Sequence, residues 1–179
     1  MSERRNHVGA AYSLTVVAPV VAGREHAARD AVEALPIGPE SPLARLGGLH
    51  FSRIHIVSEL VFQGPQQRHR DPLHASQLVF TSTVDGELDP YLEALRPIAD
   101  TWWQFCSGYP GSGDGAAFAR WVRDHQIDSS LFASAHPEAT VPSVLESLAL
   151  RERIIDFAVA ARGLEPAELQ RRFRDELAR

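Results

Sequence analysis

Apolar and polar side chains alternate along three stretches in the first half of the chain, and we interpret each stretch as a β-strand. These stretches are residues 10–20, 49–57 and 77–84. A fourth strand is predicted at residues 130–135, SLFASA, where a His-Pro pair ends it. Because successive side chains of a strand point to opposite faces, the alternation predicts a sheet with one apolar face.

Between the predicted strands, apolar residues recur three and four positions apart, which is typical of helices with one buried face. The first such segment, residues 23–35, is followed by a proline. A second helix is predicted to begin at Asp89 as N-cap and to bury a stripe that reaches Cys106. Pro97 lies inside this segment and should kink or split the helix. A third helix is predicted at residues 116–125.

The order of these elements is strand, helix, strand, strand, helix with one additional helix, and strand. This order predicts an α+β fold of the ferredoxin-like βαββαβ type with helices on one face of an antiparallel sheet. We assign residues 1–140 to this domain. Residues 141–179 form a predicted C-terminal helical extension, in which Ser143 and Glu146 make a capping box and Gly163 ends the first helix. We expect the extension to pack on the domain or on a partner subunit.

Length and composition narrow the class of protein. With 179 residues, 44% hydrophobic and 23% charged, the chain is long enough for one well-buried domain. The net charge of −5 argues against binding of nucleic acid or anionic lipid. Cys106 is the one cysteine, so an internal disulfide cannot form, and we expect a reducing, cytoplasmic location. The sequence has no signal-peptide pattern and no apolar run near ~18 residues, so no membrane span is predicted.

The strand at residues 49–57 carries the main candidates for chemistry. On regular alternation, Arg53 and His55 share a face with Phe51, while His50 lies on the opposite face. One hypothesis is a concavity in which Arg53 orients an anionic group and a histidine moves a proton. The alternative is that His50 is a structural histidine and that the other two lie on a solvated or subunit-facing surface.

Other motifs carry weaker signals. The long loop at residues 64–76 holds His69 and His74 around an aspartate, but the intervening arginine and proline do not suit a compact ligand set, so no metal site is predicted. The glycine-rich turn at residues 107–115 lacks the lysine of a phosphate-binding loop. Cys106 lies on a predicted buried stripe, which indicates an inert thiol.

Several segments resemble one known superfamily. LHFSRIHIV, LVFTSTVDGELDPYL, WWQFCSGYP and FARWVRDHQ are similar to segments of a largely uncharacterised bacterial family, over residues 10–141. That family belongs to the dimeric α/β-barrel superfamily of ferredoxin-like proteins, which includes small monooxygenases, haem-degrading enzymes, chlorite-dismutase-like enzymes and dye-decolourising peroxidases. The resembling pattern has His and Arg at the positions of His50 and Arg53. His55 lies outside it.

The sheet face that the helices leave open would favour association, so we expect a homodimer that buries it. The resemblance implies that haem could be a cofactor, with His125 as axial ligand. The alternative for His125 is a structural histidine at the negative end of a helix, and this alternative is the favoured one.

Three functions follow as expectations. The first is a small-molecule enzyme that acts on an apolar or aromatic metabolite in a pocket on the sheet, as an oxygenase or a haem-dependent enzyme. The second is a non-catalytic ligand-binding or accessory protein of the same fold. The third is a structural dimerisation module, which would bury Arg53 and His55 in subunit contacts.

Overall fold

A computed structural model describes residues 5–62, 64–69 and 72–177 of the chain. The chain divides into two compact units between Glu138 and Ala139, and each unit is described by itself. The first unit combines an antiparallel sheet with three helices, which makes it an α+β structure.

The sheet has four strands. They are β1 (His7–Val8), β2 (Ala11–Pro19), β3 (Leu49–Val57) and β4 (Gln77–Asp85). Their order across the sheet is β1-β2-β4-β3, and every neighbouring pair is antiparallel. The three long strands are those that the alternating pattern predicts. From Tyr12 onward the pattern in β2 is strict, since every second side chain is buried and those between are half-buried.

Three helices cover one face of this sheet. They are α1 (Glu25–Glu33), α2 (Leu88–Trp103) and α3 (Gly115–Asp124). Helix α2 continues through Pro97, so the predicted split is wrong; the side chain of this proline is exposed, and the rest of the helix buries six residues against the sheet. The N-cap is Glu87, two residues before the predicted Asp89, which lies in the first turn.

Tryptophan 103 lies at the centre of the core between the sheet and the helices. Its ring is fully buried and lies 5.3 Å from the Phe80 ring, 5.5 Å from Trp121 and 5.8 Å from both Trp102 and Phe118, measured between ring centroids. Such edge-on and tilted pairs add about 0.5–1.5 kcal/mol each beyond burial of their area. The aromatic residues of α2 and α3 therefore form the packing centre of the first unit.

The predicted fourth strand is wrong: residues 130–135 are not a strand, and Leu131 is 86% exposed. The edge of β2 that this strand was predicted to cover is hydrogen-bonded instead by residues 125–127, which come earlier in the chain. The Val17 N–H donates to the His125 carbonyl at 3.0 Å, and the Ile127 N–H donates to the Thr15 carbonyl at 2.9 Å. The residues that leave α3 thus reach this edge before the predicted segment begins, and β1 pairs with the other end of β2.

The second unit is a pair of helices, α4 (Val141–Ala160) and α5 (Pro166–Glu176). The capping box of α4 is formed by Thr140 and Ser143, so the predicted box of Ser143 with Glu146 is wrong. The Phe157 and Phe173 rings meet edge to face with 6.0 Å between centroids. Neither helix has a buried residue, although α4 exposes several large apolar side chains. No helix in the described part of the chain has the length and apolar character to cross a membrane.

Candidate functional site

A β-bulge interrupts β3 at the first candidate residue. Leu49 pairs with Val84 and Phe51 pairs with Thr83, so two steps along β3 match one step along β4 and His50 is the extra residue. Leu49 therefore packs on the core with Ile54 and Ile56, not on the face of Phe51. Regular alternation would assign His50 and Arg53 to opposite faces, and the bulge removes that constraint.

The bulge positions His50 against a carboxylate. His50 Nε2 lies 2.8 Å from Asp85 Oδ1, and the two side chains are 24% and 16% exposed. The Asp85 N–H donates to the Gly48 carbonyl at 2.8 Å, which holds the end of β4 against the start of β3. When Nε2 carries the proton, it donates to the carboxylate and leaves a lone pair on Nδ1. This is the arrangement in which an aspartate orients a histidine for proton transfer.

Arg53 and His55 are exposed on the face of the sheet that the helices do not cover, which we call the open face. The Arg53 guanidinium lies 5.6 Å from the centroid of the Phe51 ring, and Phe51 is 52% exposed. No carboxylate in the described part of the chain forms an ion pair with Arg53. The cation is therefore available to an anionic ligand.

Two open cavities flank the outer edge of β3. One of about 330 Å³ has Arg53 as its charged residue and mostly apolar lining from α1 and the link after it. The other, of about 200 Å³, has His55 in its lining together with Arg29 and Glu33 of α1. Arg53 and His55 thus line separate cavities, and His50 lines neither of them.

His125 is held by contacts to its own helix. Its Nδ1 lies 2.8 Å from the Trp121 carbonyl, and its ring lies 4.3 Å from the Trp121 ring between centroids, inclined by 31°. Its backbone carbonyl accepts the hydrogen bond from β2. His125 lines none of the cavities described in this section. Its surroundings therefore fit a structural histidine and do not fit the axial ligand of a haem, which needs an apolar slot beside the free imidazole nitrogen.

The remaining sequence candidates give no site. Asp71, between His69 and His74, lies outside the described residues. Within the described ranges, no three His, Cys, Asp or Glu side chains are grouped so that they could hold a metal ion. Cys106 is 4% exposed, and burial raises the pKa of its thiol to about 12. A thiol that stays protonated at neutral pH is a poor nucleophile.

A polar cavity of about 460 Å³ is the main feature that sequence reasoning missed. It lies on the helix-covered side, between the start of α2 and the end of α3. Its lining comes from four separate segments: Asn6, His7, Tyr12, Glu87, Leu88, Asp89, Arg123, Gln126 and Asp128. No motif links these segments, so only their assembly in the fold brings them together.

Comparisons of the chain with protein-family models, with curated proteins and with solved structures each find no match.

Proposed function

We propose that this chain is a small-molecule enzyme with a ferredoxin-like domain, and that its substrate joins an apolar or aromatic body to an anionic group. The observation that supports this proposal best is the cavity beside Arg53. Its lining combines apolar residues with two serines and the Arg53 guanidinium, and such a lining matches a substrate of that kind, since apolar surface supplies affinity and the cation fixes orientation.

His50 is the proposed proton acceptor. Its Nε2 is paired with the Asp85 carboxylate, so its Nδ1 is the atom that would take a proton from the substrate. The carboxylate stabilises the imidazolium that forms. His50 and Arg53 are three residues apart on one strand, which at ~3.3 Å per residue corresponds to about 10 Å. The two side chains reach toward a shared ligand across this distance, so the carbon that loses the proton would lie between the imidazole and the guanidinium.

Proton abstraction next to a carbonyl is the reaction class that suits these groups. An unpaired arginine can hold the carboxylate, and the histidine can remove a proton from the carbon next to the carbonyl. The surroundings of His125 do not fit a haem, so the proposed reaction does not involve haem.

A homodimer is part of the proposal, because the open face needs a cover. Phe51 is half exposed there, and Thr15, Val17, Val79 and Thr81 on the neighbouring strands are only half-buried in the single chain. A second copy over this face would exclude water from His50 and Arg53, which strengthens their electrostatic interactions with a substrate. A purely structural dimer would instead bury Arg53 and His55 with no room for a ligand.

Phenylpyruvate is a suitable probe, because it has an aromatic body, a carboxylate and acidic methylene protons next to a carbonyl. The full chain in D₂O should accelerate exchange of these protons, as measured by proton NMR against the rate without protein. We expect His50→Gln to remove most of the acceleration, about 10²-fold or more, as is typical for loss of a general base. Arg53→Lys should mainly raise KM.

Two further variants make the experiment specific. His26→Gln carries the same chemical change on the exposed side of α1 and serves as the matched control. His55→Gln asks whether the second histidine of the strand takes part. Binding of phenylpyruvate without any proton exchange would support the non-catalytic alternative. Absence of binding at millimolar concentration would contradict both the enzyme and the ligand-binding protein as functions of the Arg53 cavity.

A further inference from the structure

The polar cavity at the end of α3 has the size and lining of a ligand site of its own. Its volume of about 460 Å³ lies within the range of small-molecule sites, and eight of the nine lining side chains are polar or charged. It lies between the start of α2 and the end of α3, whereas the proposed reaction site is at β3, and the two cavities share no lining residue. From its charge and its hydrogen-bonding groups we infer that it binds a small cationic molecule, an amine or a guanidinium compound.

The amide side chains of this cavity are already fixed by partners. The Asn6 Nδ2 donates to Asp128 Oδ1 at 2.9 Å, and its Oδ1 accepts from the Ser129 N–H at 2.8 Å. The Gln126 Nε2 donates to the Tyr12 hydroxyl at 2.7 Å. Asn6 is 1% exposed and Tyr12 is 3% exposed. Because their rotamers are held, these groups lose little entropy when a ligand binds.

Carboxylates outnumber cations around the cavity. Glu87, Asp89 and Asp128 contribute three negative charges, while Arg123 contributes one positive charge. His7 stands 3.5 Å from Glu87. Even with His7 protonated, the lining keeps a net negative charge, which favours a cation and repels an anion.

The position of Arg123 strengthens this assignment. Arg123 is paired with Asp89 across the cavity, so the one permanent cation is engaged and does not offer an anion site. Burial raises the pKa of Tyr12, so its phenol stays neutral and adds a hydrogen-bonding group without charge. Within the described residues, no three His, Cys, Asp or Glu side chains are grouped so that they could hold a metal ion. The inferred ligand is therefore an organic cation.

Agmatine, with an amine and a guanidinium group, is the probe, and 4-guanidinobutanoate, in which a carboxylate replaces the amine, is its matched counterpart. Titration of the ¹⁵N-labelled full chain with agmatine should shift the side-chain amide signals of Asn6 and Gln126. The counterpart should bind at least tenfold more weakly. Equal affinity for the two probes, or no shift with millimolar agmatine, would overturn the inference.

A pair of variants on one helix tests the role of the charge. Asp89→Asn should weaken agmatine binding about tenfold, because it removes a lining carboxylate and frees Arg123 to repel the ligand. Glu93→Gln is the control, since Glu93 is also a carboxylate of α2 paired with an arginine but lies outside the cavity. Unchanged affinity in Asp89→Asn, or equal losses in both variants, would contradict the assignment. Failure here leaves the phenylpyruvate experiment unaffected, because that site contains none of these residues.

Discussion

Two tryptophans of the same core should respond differently to the same substitution. Trp103 is fully buried, and within the described part of the chain its Nε1 has no hydrogen-bond partner. Trp121 is 6% exposed, and its Nε1 donates to the Ser107 carbonyl at 3.3 Å. Replacement of each by phenylalanine removes the same atoms, but only in Trp121→Phe does it also remove a hydrogen bond.

The expected costs follow from three contributions. Trp→Phe removes about 40 Å³ of side chain, which at ~24 cal/mol per Å³ costs about 1 kcal/mol as a cavity. Loss of buried apolar area adds about 1 kcal/mol. In Trp103→Phe, removal of an unpaired buried N–H stabilises the folded state by about 1–3 kcal/mol, which offsets the first two contributions. This variant should therefore be close to wild type in stability. In Trp121→Phe, loss of a hydrogen bond adds about 1 kcal/mol, for a total near 3 kcal/mol.

Urea unfolding followed by tryptophan fluorescence measures this difference. All three tryptophans lie in the first unit, and each variant keeps two of them. The midpoint for Trp121→Phe should fall well below that for Trp103→Phe, with similar denaturant slopes. Equal destabilisation of the two variants, or a larger loss in Trp103→Phe, would refute the argument that an unpaired indole N–H weakens this core.

Three other outcomes follow from local chemistry. Cys106, whose pKa is raised to about 12, should react with iodoacetamide at pH 8 more than a hundredfold more slowly in the folded chain than in urea, as mass spectrometry would show. The Asp100 carboxylate accepts from the Tyr109 and Ser112 hydroxyls at 2.7 and 2.6 Å, and these bonds lower its pKa. Its contribution to stability is therefore present above pH ~4 and lost as the pH falls below that value, so Tm should depend less on pH below ~4 in Asp100→Asn than in wild type. Thr140→Ala removes the N-cap of α4 and should cost about 1 kcal/mol of local stability, measured as faster amide exchange in the first turn of that helix.

The candidate residues show where sequence reasoning stops. The sequence singles out His50 and Arg53, but regular alternation assigns them to opposite faces. The bulge resolves this conflict, and it depends on the register that β3 adopts beside β4, which no short pattern encodes. In the sequence, Asp85 is recognisable only as part of an Asp-Gly turn. Its role as the partner of His50 is not, because that contact joins residues 35 positions apart. The predicted edge strand at residues 130–135 fails for a similar reason, since backbone groups after α3 reach β2 first.

By itself, the sequence determined the long strands, the helices on one face and the buried stripes of β2, α2 and α3, because periodicity of 2 or 3.6 residues reports burial directly. It also predicted the burial of Cys106. The tertiary structure alone decided the pairing of His50 with Asp85, the closure of the β2 edge by residues 125–127, and the polar cavity. Each of these depends on contacts between segments far apart in the chain, and such contacts leave no periodic signal in the segments that make them.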